Sequence, residues 1–149
     1  MCYALILSTT SDEDLSLLNS DLIRFGRPVA DRYPTNALSY PNKWYIGSRT
    51  GCSCSFRHVV QPEKGFGIPE EWFPEEALDI EATLTFIRLV RSLIAKGQRV
   101  DCVDFWESEI DKHQPPVSIK VDIGTIRDEE FKFFENHYFD FVIGEEARA

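Results

Sequence analysis

From Cys2 to Ser8 the chain is almost continuously apolar, the pattern of a central strand covered on both faces. Leu15, Leu18, Leu22 and Phe25 then recur at intervals of three and four, which predicts one apolar stripe of a helix. Thr10 and Glu13 stand in capping-box spacing at its start, and Arg24 with Gly26 suits its C-terminus. Residues 27–42 carry Pro28, Pro34 and Pro41 and read as loop. Residues 43–47 form a strand by composition, 49–55 a tight turn of small residues, and 56–60 a returning strand that would close a hairpin. A second loop rich in Pro and Gly covers 61–74.

The strongest periodicity runs over residues 75–96 and predicts a long helix. Ile80, Leu84, Ile87 and Ile94 lie on one face, Ala82, Phe86, Leu89 and Leu93 beside it, and Glu81, Thr85, Arg88 and Ser92 opposite. Gly97 is its stop signal. Residues 99–106 read as a strand. Val117, Ile119, Val121 and Ile123 alternate with Ser118, Lys120 and Asp122, which predicts a half-buried strand with one wet face. A short helix over 128–135 and a strand over 138–143 complete the pattern.

The resulting order is β-α-β-β-α-β followed by β-α-β. Its first six elements match the split βαβ, or ferredoxin-like, arrangement, an α+β fold with two main helices on an antiparallel sheet, extended here by the C-terminal β-α-β. A doubly wound parallel sheet is the alternative, against which the expected hairpin and the wet strand count. At 149 residues, without repeats or a long linker, residues 1–149 are expected to form a single domain.

Composition narrows the functional classes. The hydrophobic fraction of 43 % supplies a core, and no apolar run is long enough to span a bilayer as a helix. The N-terminal apolar run lacks a basic leader and is followed by Asp12, Glu13 and Asp14, so it reads as a strand and not as an export signal. Four cysteines without such a signal are expected to be reduced, which places the chain in the cytoplasm. A net charge of −9 argues against a general nucleic-acid binder. The charge is uneven: residues 24–64 hold seven bases and two acids inside an otherwise acidic chain.

That basic island contains the segment richest in chemistry, Gly47–Ser48–Arg49–Thr50–Gly51–Cys52–Ser53–Cys54–Ser55–Phe56–Arg57–His58. Small residues leave its two thiols unshielded, and nearby cations lower a thiol's pKa. Three readings follow. Cys52, Cys54 and His58 offer thiol chemistry, as a redox pair or in group transfer, or ligands for a metal such as zinc, although the Cys-x-Cys spacing is not the familiar one. In an extended strand Cys52 and Cys54 would share a face about 6.5–7 Å apart, too far for a disulfide but workable around a metal. Arg49, Arg57 and His58 offer an anion site for a small metabolite. The third reading is a turn with no chemistry. A different class, a non-catalytic domain that binds another protein, rests on six acids and no base over residues 70–81, among them Glu70, Glu71, Glu75 and Glu76. Cys2 and Cys102 read as buried strand thiols, and His58 has no evident carboxylate partner in the sequence. Glu107, Glu109, Asp111 and His113 form a further polar cluster, read as exposed loop.

Overall fold

The structure, a computed structural model, describes residues 3–28, 37–59, 65–70, 75–106 and 116–144. Cys2, Glu71 and the cluster at Glu107–His113 lie outside the described residues. Among the described residues, eight strands and one α-helix follow one another as β1 (Tyr3–Thr9), β2 (Ile23–Gly26), β3 (Asn42–Ser48), β4 (His58–Val59), α1 (Ala77–Ala95), β5 (Val100–Trp106), β6 (Val117–Asp122), β7 (Phe133–Phe134) and β8 (His137–Val142). Six of them form one sheet in the order β2-β3-β1-β5-β8-β6, while β4 and β7 pair separately. Every neighbour in the large sheet is antiparallel except β6 and β8, so the sheet is mixed. No helix among the described residues is long and apolar enough to cross a membrane.

The ferredoxin-like, two-helix α+β expectation is overturned, because α1 is the only α-helix among the described residues. The stripe from Leu15 to Phe25 is not helical. It divides into a short 3-10 turn, Leu15–Leu18, and the edge strand β2. Side chains explain the break. Asp14 accepts from the Ser16 N–H, the Ser20 hydroxyl accepts from Leu22 N at 3.2 Å, and Asn19 Oδ1 accepts from Phe25 N at 2.6 Å. Asn, Asp and Ser thereby offer the backbone turns in place of helix. Thr10 does not cap a helix, since its hydroxyl accepts from Arg99 N. In β2 the alternation puts Ile23 and Phe25 inside, while Leu18 stays half exposed. The hairpin is also absent: β4 pairs in parallel with β7, His58 opposite Phe133. The expected helix near residue 128 is a 3-10 turn, Asp128–Glu130.

Helix α1 forms where the periodicity predicts it. It buries Ala82, Phe86, Ile87, Val90 and Leu93 against the sheet, each large apolar side chain contributing about 1.5–3 kcal/mol. It ends as the sequence signals, with Gly97 at φ +84° and the Gln98 N–H returning 3.0 Å to the Leu93 carbonyl. Strand alternation divides the sheet's two faces. Leu5, Leu7, Trp44, Ile46, Cys102, Phe139 and Phe141 join the core under α1. Ala4, Ile6, Val103 and Phe105 form a smaller cluster with Leu38 on the other face. At one end of the helix-side face the row Leu5–Asp104–His137 crosses β1, β5 and β8, with Tyr3 opposite Trp106 one pleat beyond.

Candidate functional site

Beyond Leu5, where its pairing with β3 ends, β1 is met by the turn that follows β3. Ser48 organises this turn: its N–H reaches the Cys52 carbonyl at 2.7 Å, and its hydroxyl accepts from Ser55 N at 3.1 Å. Gly51 adopts φ +92°, and a Cβ on Gly47 would stand 3.0 Å from the Gly51 carbonyl oxygen, so both positions require glycine. The turn then fastens to β1. Ser53 N donates to the Tyr3 carbonyl, Leu5 N donates to the Ser53 hydroxyl at 3.0 Å, and Tyr3 N donates to Cys54 Sγ at 3.2 Å. The small residues that the sequence offers as an open loop are largely the wiring of this attachment.

The two arginines of the island are committed elsewhere. Arg57 is 2 % exposed, and all five of its N–H groups have acceptors. Nε and Nη2 grip the Glu75 carboxylate at 2.7 and 2.9 Å, Nη2 also reaches the Gly67 carbonyl, and Nη1 holds the carbonyls of Glu129 and Phe131. A guanidinium so saturated has no donor left for an anion. Arg49 binds Asp79 and Glu76 at 2.6 Å each, and the hydrogen bond to Asp79 raises its pKa further. Glu75 and Glu76, offered by the sequence as part of an acidic docking face, are thus the partners of these arginines.

His58 has a different environment. Its ring lies parallel to Tyr3 at 4.0 Å between centroids and 5.6 Å from Phe133. Its Nε2 is 3.1 Å from Oδ2 of Asp104, and the two side chains are 8 % and 0 % exposed. The contact is close but its geometry is not that of an aligned hydrogen bond. His58 Nδ1 and Asp104 Oδ1 are buried without a hydrogen-bond partner among the described residues, and Nε2 and Oδ2 have only each other. Burial pushes the Asp104 carboxyl above the ordinary aspartate range, and His58 opposes that shift. Beside Asp104 stands His137, whose Nδ1 donates to the Glu135 carbonyl at 2.8 Å. The Tyr3 phenol is pushed up to about 12, first by burial and then by the charges of Glu135, Asp104 and Cys54.

The thiols divide as their surroundings dictate. Cys52, 3.7 Å from the Thr50 hydroxyl, and Cys54 are half-buried. Cys102 is fully buried in β5, and burial pushes its thiol pKa well up, with Asp101 and Asp104 adding to the effect. Among the described residues no three His, Cys, Asp or Glu side chains converge to hold a metal ion, and Cys52, Cys54 and His58 are not such a group. With Nδ1 unpartnered and Nε2 facing Asp104, the His58 ring is not hydrogen-bonded to Cys54 as the base of a thiol nucleophile would be.

The carboxylate that the sequence did not supply for His58 is Asp104. Tyr3, Glu135 and His137 are further members that spacing could not reveal, because strand pairing brings them from both ends of the chain. One signal was present: Asp104 stands between Val103 and Phe105 in a strand whose neighbouring positions are apolar, where a carboxylate is costly. No protein-family model, curated protein or solved structure matches this chain.

Proposed function

We propose that the protein binds a small polar ligand at the His58–Asp104 centre, held between β1, β4, β5 and β8. One observation carries this reading: a buried imidazole and a buried carboxylate meet through a single off-line contact of 3.1 Å and leave His58 Nδ1 and Asp104 Oδ1 without hydrogen-bond partners among the described residues. Buried polar groups are nearly always paired, so unpaired capacity of this kind stands out and is what a ligand's donors and acceptors would use. The neighbouring arginines are already occupied: Arg57 holds the Glu75 carboxylate and the carbonyls of Glu129 and Phe131, and Arg49 holds Glu76 and Asp79.

A thermal-shift screen of small metabolites tests the reading. A ligand that raises the melting temperature of the wild-type chain is expected to lose its effect in His58→Gln and in Asp104→Asn, and to keep it in Arg49→Ala. A shift that survives both of the first two substitutions, or disappears with Arg49→Ala alone, would move the site to another part of the molecule.

A further inference from the structure

The groups around this centre also define what kind of ligand it suits. Tyr3 and Trp106 meet at 4.3 Å between centroids with planes 64° apart, which makes an aromatic corner. His58 stacks on Tyr3 at 4.0 Å and backs that ring. Tyr3 and Trp106 are both half-buried, whereas Asp104 behind them is fully buried. Aromatic faces attract cations through the ring quadrupole, most strongly where the surroundings are desolvated. The same molecule shows this preference elsewhere, where the Arg27 guanidinium carbon lies 3.8 Å from the centre of the Trp44 ring.

The local charge has the matching sign. Asp104, Glu135 and Cys54 all act on the Tyr3 phenol in the direction that negative charge requires, and Glu135 acts on Asp104 in the same sense. Arg49 and Arg57, which flank the turn leading to His58, are paired with Glu76, Asp79 and Glu75. The groups facing Asp104 are His58 from β4, His137 from β8 and Glu135 from the turn before it. The two imidazoles act on Asp104 in the direction that positive charge requires, and Glu135 acts in the opposite one.

We infer that this end of the sheet takes a small organic cation, a primary or quaternary ammonium, on the corner formed by Tyr3 and Trp106, with Asp104 and Glu135 supplying the countercharge. The inference rests on reading His58–Asp104 as a ligand centre. The cation provides what a buried carboxylate lacks, a fixed positive partner, so binding strengthens as pH rises and Asp104 ionises.

The test is an NMR titration of the full chain with choline, with ethanolamine and with 3,3-dimethylbutan-1-ol, the neutral isostere of choline. Choline or ethanolamine should move the Trp106 indole and the His58 and Asp104 amide resonances saturably, and the response to each decides between quaternary and primary ammonium. The neutral isostere should leave them in place. Asp104→Asn should weaken binding by about tenfold, the scale of one lost charge contact. Trp106→Leu should abolish it, while Trp106→Phe, which keeps a ring, should retain it. If the isostere moves the same resonances equally well, or if neither cation moves them, the inference is wrong while the small-ligand reading stands. That reading falls separately, if no compound in the thermal-shift screen depends on His58 and Asp104.

Discussion

Asp101 and Asp104 are both fully buried on strand β5, yet they face opposite sides of the sheet and are treated in opposite ways. Asp101 is saturated. It accepts from the Ser8 hydroxyl, from Ser39 N at 2.9 Å and from the Tyr138 hydroxyl at 2.6 Å, and these bonds tie the chain before β3 to the second face of the sheet. Asp104 has only the misaligned contact with His58. Burial alone therefore does not mark a functional carboxylate. A buried charge with all its partners specifies structure, and one without them holds interaction capacity in reserve.

The contrast can be broken most forcefully at Asp101. Replacing it by alanine strands two hydroxyls and a backbone N–H, and should lower stability by about 3 kcal/mol or more in urea unfolding. A loss below about 1 kcal/mol would show Asp101 to be no more structural than its neighbour.

The effect at Asp104 is smaller and depends on pH. Its folded-state pKa is raised, so the folded chain holds this proton more tightly than the unfolded chain does. The associated stability is present below the unfolded value of about 3.9 and is lost as pH rises through the folded value, with a slope of at most about 1.4 kcal/mol per pH unit. Asp104→Asn removes that slope, so the variant should gain on the wild type as pH rises from about 4. Unfolding curves that remain parallel across this range would remove the distinction between the two aspartates.

The least perturbing probe is the thiol between them. Cys102 is buried and its pKa is raised, so alkylation of the native protein read by mass spectrometry should modify Cys52 and Cys54 first. Labelling of Cys102 ahead of those two would mean that β5 opens more readily than its burial implies.

Much of the element pattern was legible because it is written at short range. The alternation in β6, the unbroken apolar run of β1 and the periodicity of α1 with Gly97 at its end each specify their element within a few residues. The pattern misled where short polar side chains compete with the helix, as Asp14, Asn19 and Ser20 do along the stripe from Leu15 to Phe25. Pairings between distant segments, such as β4 with β7, carry no local signal.

The site was legible only in part for the same reason. His58 stood out by composition, but Asp104 and His137 become its neighbours through the register of β1, β5 and β8. Arg57 looked like an anion ligand because Glu75 and three carbonyls, which occupy it, come from separate parts of the chain.

The place of β1 in the sheet also has a consequence for how the protein is made. Strands β1, β2 and β3 can pair with one another as soon as they leave the ribosome, but the second edge of β1 is completed only by β5, where Tyr3 meets Trp106 and Thr9 meets Val100. During the synthesis of everything between β3 and β5, the nascent chain carries an unpaired apolar strand edge, the kind of surface that other chains pair with. Because its first strand lies in the interior of the finished sheet, this protein must keep that edge covered or fold quickly once β5 appears.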